Sequence, residues 1–296
     1  MRAMRAMRTM TDIREADLAP SPRLKRVVFR HALVTRVTHW INLVCVIILL
    51  MSGLQIFNAH PALYWGQYGA DADKPLFEIG SNESSDGRLT GFVKIGSATL
   101  NTTGVLGASA NPNGEIVERG FPRFVTLPAY RDLSLGRRWH FFFAWLFVAN
   151  LLVYYIGGIA SGHLRHDLLP DREQLRPKAV WQDFIDHLRL KFPRGEEARY
   201  YNPLQKFAYL GVIGVLLPTM ILTGLTMSPG MDAILPWLVT LFQGRQSART
   251  IHFIAANLIV LFIFVHVAMV LLAGPLNELR SMITGKFVIY PEAGHE

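Results

Sequence analysis

The apolar residues of this chain are not scattered at an amphipathic period. They gather in four blocks, from about His39 to Phe57, Trp139 to Gly162, Phe207 to Met227 and Ile251 to Ala273. No Asp, Glu, Lys or Arg interrupts Trp40–Phe57, Phe141–Gly162, Phe207–Gly230 or Phe253–Pro275. A helix that is apolar on every side belongs in lipid or deep in a large core. Each block is near the ~20 residues that cross a hydrocarbon layer of about 30 Å. The pattern therefore predicts four transmembrane helices.

Composition agrees. Of 296 residues, 51% are hydrophobic, the mean hydropathy is +0.25 and the formal charge is +8. A chain of this length can build one or two soluble domains, but four such blocks leave no soluble layer able to cover them. No clear small-residue cleavage site follows the first block, so we expect a retained anchor rather than a signal peptide. The single cysteine, Cys45, lies inside the first block. Alone it can form neither an internal disulfide nor a thiolate metal site, and it reads as a packing residue. Nothing structural is read into the opening repeat MRAMRAMRTM.

Four spans put both chain ends on one side. Residues 1–38 carry nine Lys and Arg, the 163–205 loop carries eight and the 228–249 loop carries two. The 58–138 loop also carries eight, but over roughly eighty residues, and long loops count weakly toward orientation. The positive-inside rule thus predicts cytoplasmic termini, a cytoplasmic 163–205 loop and an extracytoplasmic 58–138 loop. The positive charge falls on loops that flank lipid and calls for no nucleic-acid partner. Within the long loop, GRLTGFVKIGSATLNTT reads as two short strands joined near a glycine. A loop of that length is usually functional or ordered by a partner. In VWQDFIDHLRLKF, the residues Trp181, Phe184, Ile185, Leu188 and Phe192 recur at helical spacing between charges. They predict an amphipathic helix lying on the membrane surface, with a solvated loop as the alternative.

Four of the ten histidines lie in or at the edge of the spans: His39, His140, His252 and His266. An ionisable or metal-binding side chain in lipid is costly and is a functional candidate by default. His39 opens the first block on the inside, whereas His140 and His252 open theirs on the outside. His266 follows His252 by fourteen residues, which is about 21 Å of helix and close to four turns, so both imidazoles share a face. The result is two histidines near each membrane surface. Low-spin haem iron takes two axial imidazoles from opposing helices. Depth then predicts an outer haem on His140 and His252 and an inner haem on His39 and His266.

R-x-x-H recurs at Arg36–His39, Arg137–His140 and Arg249–His252. Each arginine lies one turn nearer water than its histidine, on the same face, and is placed either to pair with an anionic haem propionate or to anchor the helix at the interface. Gly53 lies fourteen residues after His39, at the outer level, where a haem plane needs a small neighbour. Gly211, Gly214 and Gly224 are further candidates, though small residues also let helices approach. The blander reading of one boundary histidine is an interfacial hydrogen bonder, and His31, His60, His163, His166, His187 and His295 read mostly as surface residues.

The segments HALVTRVTHWINLV, RRWHFFFAW, YNPLQKFAYLG and RTIHFIAANLIVLFIFVHV resemble the bacterial cytochrome b561 and nickel–iron hydrogenase b-type superfamily. The likeness is nearest to membrane cytochrome b subunits of hydrogenases, formate dehydrogenases and thiosulfate reductases. It covers roughly residues 28–285, and the fourteen-residue histidine pair is its most specific part. It implies an all-α, four-helix, di-haem cytochrome b domain over 31–285, with tails at 1–30 and 286–296. It further implies two haem b groups on the same four histidines in a bacterial inner membrane. A periplasmic catalytic, iron–sulfur or molybdopterin oxidoreductase subunit would exchange electrons with the outer haem, and a quinone with the inner one. The implied quinone site falls on Tyr201-Asn202-Pro203-Leu204-Gln205-Lys206, where Asn202 and Gln205 would hydrogen-bond a quinone carbonyl. Asn202 before Pro203 equally reads as a helix cap. Hydrogenase-type subunits usually have one more span than the four found here. Two other classes compete. A stand-alone haem oxidoreductase acting on a small solute would purify without a second subunit. A haem-free transporter would lack haem absorbance.

Overall fold

The computed structural model describes residues 25–69, 73–191 and 201–289. Four long helices carry the apolar blocks: α1 (Leu33–Phe57), α2 (Leu133–Ala160), α4 (Pro203–Thr226) and α5 (Arg245–Ala273). They are 25, 28, 24 and 29 residues long, more than a bilayer core requires. Each begins several residues before its apolar block, because the turns bearing Arg36, Arg137 and Arg249 are helical too. The histidines expected at the openings of the spans therefore sit one to two turns inside their helices.

Helix α2 starts at Asp132, whose carboxylate accepts the Leu135 N–H at 2.8 Å and so satisfies one orphan donor of the first turn. Helix α4 is not regular. It makes a π turn at Val212–Leu216, just before Pro218. Proline removes a donor and crowds the preceding turn. One of the loosened carbonyls, that of Ile213, accepts the Tyr155 hydroxyl at 2.5 Å.

Helix α1 packs along α2, and the second half of α4 packs on α5. The centre of the bundle is Cys45, Phe147, Leu151, Leu217 and Ile259; Cys45 is a buried free thiol within it. Asn150 adds a polar link inside the apolar region, donating to the Thr38 carbonyl at 2.9 Å and to Asn42 Oδ1 at 2.6 Å. Only 11–22% of each helix's most apolar window is buried within the protein. The remaining apolar surface, Ile156, Ile159 and Phe264 among it, faces outward. Side chains of this kind on four helices need a lipid solvent.

The chain is not all-α, as the resemblance had implied. The segment between α1 and α2 folds into an antiparallel sheet ordered β2 (Ala62–Leu63), β3 (Phe77–Glu83), β4 (Leu89–Ile95), β5 (Ala98–Asn101). A hairpin of β6 (Gly107–Ala110) and β7 (Ile116–Arg119) packs over it. β4 and β5 are the two strands expected from their alternation; β3 and the hairpin carry weaker patterns. The hairpin crosses the sheet so closely that a Cβ on Gly107, at φ +78°, would collide with the Gly80 carbonyl. At the opposite end of the bundle, β1 (Arg26–Phe29) pairs with β8 (Lys286–Ile289), drawing together segments expected as tails. The segment expected as an amphipathic helix forms one, α3 (Pro177–Leu188), with Trp181, Phe184 and Leu188 exposed. Phe192 of that pattern, like His295, lies outside the described residues. Asp183 of α3 accepts the Leu204 N–H at 2.9 Å, so α3 caps the start of α4.

The loop domain is clamped onto the end of α1. Leu127 N–H donates to the Met51 carbonyl at 3.0 Å, and Asn58 exchanges two hydrogen bonds with the Phe121 backbone. Arg119 is the centre of the clamp. It is 7% exposed and donates to the Phe121 and Ala129 carbonyls, Gln55 Oε1 and Thr126 Oγ1. All four partners are neutral. Burial, with Arg131 and Arg123 nearby, lowers the guanidinium's pKa from its ordinary value, yet arginine keeps its charge in proteins. Replacing Arg119 by Met strands several buried acceptors at once, and we expect a loss of about 2–4 kcal/mol of stability. Thermal unfolding in detergent, with limited proteolysis of the 58–132 segment, measures it; a variant as stable and protease-resistant as the parent contradicts the clamp.

Candidate functional site

The bundle brings the four span histidines together as two pairs. Near the loop end, His140 of α2 faces His252 of α5, with ring centres 6.4 Å apart and planes inclined at 61°. Near the β1–β8 end, His39 of α1 faces His266 of α5, also at 6.4 Å, with planes at 57°. Both pairs bridge opposing helices, and α5 contributes to both. Among the described residues no group of three or more His, Cys, Asp or Glu side chains converges, so the histidines meet as pairs. A metal–imidazole bond is about 2 Å long, which puts the ring centres of a linear bis-imidazole unit roughly 6 Å apart. Both separations match that requirement.

The loop-end pair is held by matching devices on the other two helices. Ser52 Oγ lies 3.1 Å from His140 Nδ1, and Thr223 Oγ1 lies 2.9 Å from His252 Nδ1. The next residue in each case is a glycine beside the same ring. A Cβ on Gly53 would stand 3.3 Å from His140 Cε1, and one on Gly224 would stand 3.6 Å from His252 Cε1. Gly211 and Gly214, the other glycines of α4, have nothing within 4 Å of an added Cβ. Ser52 and Thr223 were not picked out from the sequence, although each directly precedes a glycine that was.

The second pair has a different lining. His266 stacks on Phe262 at 5.7 Å and meets the Tyr209 ring at 6.4 Å; Tyr209 in turn meets Tyr201 at 5.3 Å. Trp40 lies edge-on to His39 at 5.5 Å. His39 Nδ1 is buried with no hydrogen-bond partner among the described residues. Burial, reinforced by Tyr209, raises the Tyr201 phenol's pKa well above its ordinary value, so that hydroxyl stays protonated.

The three arginines of R-x-x-H each hold something in the protein. Arg36 donates to the Ile283 carbonyl at 2.6 Å, Arg249 donates to the His60 carbonyl at 2.5 Å and lies over Phe57, and Arg137 lies over Phe141 at 5.6 Å. Asn202 is the N-cap residue of α4, and its N–H donates to Gln205 Oε1 at 3.2 Å. The capping geometry is thus present, and it engages only one side of the Gln205 amide. His31 is not a surface residue but 6% exposed. Burial first, then the charge of Arg30, lowers its pKa to about 4, so it is neutral at pH 7. His163 is paired with Asp167 at 2.6 Å.

A four-helix membrane bundle with paired, half-buried histidines at two levels is the architecture of a membrane cytochrome. The family model for the prokaryotic cytochrome b561 matches residues 30–285, and the chain belongs to that family. It is 30% identical over 250 residues to the putative protein-methionine-sulfoxide reductase subunit YedZ1 of Azospira oryzae, an alignment covering 84% of this chain and 93% of that protein. No solved structure matches. The chain is an integral membrane protein of a haem-binding, electron-transferring family.

Gly53→Val would drive two methyl groups toward the His140 ring, where a single Cβ is already tight. We expect this variant to fold but to carry less haem than the parent, because the loop-end pair is disturbed. Haem content per chain, with circular dichroism as the folding control, measures it; unchanged haem content contradicts the close packing of Gly53 on His140.

Proposed function

We propose that the chain is a di-haem b subunit that carries electrons between an extracytoplasmic catalytic partner and the quinone pool of a bacterial inner membrane. The observation that carries this reading is the pair of 6.4 Å imidazole separations on opposing helices at two depths. In it, His140 and His252 hold an outer haem b, and His39 and His266 hold an inner one. Bound haem b supplies a reversible one-electron couple at each position. The protein supplies the ligands, the spacing and the electrostatics. His252 and His266 stand fourteen residues apart on one continuous helix, which fixes the separation of the two positions at about 20 Å.

Arg36, Arg137 and Arg249 lie one turn beyond their histidines and offer positive charge to the propionates. The carbonyl contacts of Arg36 and Arg249 orient those side chains without consuming every guanidinium donor. Gly53 leaves room beside His140. Orientation follows the basic residues, with both termini and α3 on the cytoplasmic side and the β2–β7 domain outside.

At the inner end, Asn202 and Gln205 offer amide donors for a quinone carbonyl. Tyr201 and Tyr209 continue from them to His266 as a ring-lined path. A quinone there would exchange two electrons with the membrane protein and two protons with the cytoplasmic side. The likeness to a protein named as a subunit of a reductase supports a separate catalytic partner, such as an iron–sulfur or molybdopterin oxidoreductase. The folded β2–β7 domain, clamped next to the outer histidine pair, supports a partner docking on that side.

Two sets of variants test the reading. His140→Ala and His252→Ala should each remove one haem b and leave the same second one, while His39→Ala and His266→Ala should remove the other. Four variants that all lose both haems, or none, would contradict the pairing. In the parent, a menaquinol or ubiquinol analogue should reduce haem rapidly, and Asn202→Ala with Gln205→Ala should slow this at least about tenfold, the effect of ~1.4 kcal/mol in the barrier. Equal rates in parent and double variant would place the quinone elsewhere.

A further inference from the structure

The hydrogen bonding of the two histidine pairs differs in a way that decides which ring nitrogen carries the proton. Ser52 Oγ donates to the Ile48 carbonyl at 2.6 Å, and Thr223 Oγ1 donates to the Thr219 carbonyl at 2.6 Å. Each hydroxyl has one hydrogen, and the backbone one turn earlier takes it. Toward the imidazoles, at 3.1 Å and 2.9 Å, both oxygens can therefore only accept. The backbone carbonyls of Leu49 and Met220 accept from His140 and His252 as well, so both rings are the Nδ1–H tautomers, each donating between a carbonyl and a hydroxyl oxygen, with the Nε2 lone pairs free for a metal. Ser52 and Thr223 are fully buried, at 0% exposure, so water does not compete for these bonds. The inner pair has no such device: His39 Nδ1 is buried and unpartnered among the described residues.

We infer that Ser52 and Thr223 are positioning residues that add a second acceptor to the Nδ1–H of each outer histidine, hold its rotation and lower the reduction potential of the outer haem. A ligand imidazole whose Nδ1–H donates a hydrogen bond carries more electron density on Nε2 and is the more basic ligand. A more basic ligand stabilises the ferric over the ferrous state, and hydrogen bonding around the ligands is one of the levers a protein has on haem potential. Among the described residues the device acts on the outer position twice and on the inner position not at all. It rests on the two-haem reading above, and extends it by giving the two positions different electronic settings through residues that never touch iron.

The test is a redox titration of the purified, haem-loaded protein followed optically, on the parent, Ser52→Ala, Thr223→Val and Thr223→Ser. Valine matches threonine in shape without the hydroxyl, and serine keeps the hydroxyl without the methyl. The expected result is two midpoints in the parent. One of them should rise in Ser52→Ala and in Thr223→Val, and return to the parent value in Thr223→Ser; the other should stay fixed in all four. Loss of the outer haem in Thr223→Val but not in Thr223→Ser would also support the hydroxyl, as the group that holds the ring in place. Unchanged midpoints with both haems bound, or equal changes in the valine and serine variants, would overturn the inference. A parent that binds no haem would fail at an earlier point, at the two-haem reading itself.

Discussion

The meeting of imidazoles from facing helices at two depths is the constraint around which this molecule is organised. Histidines set among the apolar helices of a membrane bundle are costly without a partner. Here each is brought to within 6.4 Å of another on an opposing helix. That requirement dictates much else. It needs α5 to be long and unbroken through both levels. It needs α1 and α2 to run in opposite directions, so that His39 and His140 arrive at opposite ends. It leaves α4, which contributes no paired histidine, free to carry Pro218 and the π turn.

The two ends are built differently. At the loop end, Ser52–Gly53 on α1 and Thr223–Gly224 on α4 repeat one arrangement, a hydroxyl to hold the ring and a missing side chain to admit it. The β2–β7 domain is fastened one turn away, through Met51, Gln55 and Asn58. A docking event on that domain would act on a rigid surface tied to the histidine pair rather than on a mobile loop. At the β1–β8 end the lining is aromatic, through Trp40, Tyr209 and Phe262, and β1 is joined to β8. That end closes with fewer hydrogen bonds to the histidines and more rings around them.

Much of this was legible in the sequence because the lipid constraint is severe. Uninterrupted apolar runs name the spans, and a histidine inside one stands out against them. Fourteen-residue spacing and loop order pair the same histidines that the helices bring to 6.4 Å. Helix boundaries were less legible, because the turns with Arg36, Arg137 and Arg249 are polar yet helical, and hydropathy stops where charge begins. The strands of the long loop were only half visible. β4 alternates cleanly, but the hairpin of β6 and β7 is set by Gly107 crossing Gly80 and by the buried Arg119, contacts between residues far apart in sequence. Ser52 and Thr223 were hidden for a related reason: a hydroxyl in a membrane helix commonly bonds its own backbone, and only the three-dimensional approach of His140 and His252 shows what the oxygen accepts. His31 was misjudged because its burial comes from the packing of chain ends that look like tails.

The central claim is that both imidazole pairs are bis-histidine haem sites, and electron paramagnetic resonance of the oxidised, haem-quantified membrane protein tests it most directly. The account predicts two low-spin ferric signals, each integrating to one spin per chain. Both should be of the strongly anisotropic type expected for imidazole planes inclined at 61° and 57°. A low-spin total of only one spin per chain, or a high-spin signal from iron with one axial ligand, would contradict it.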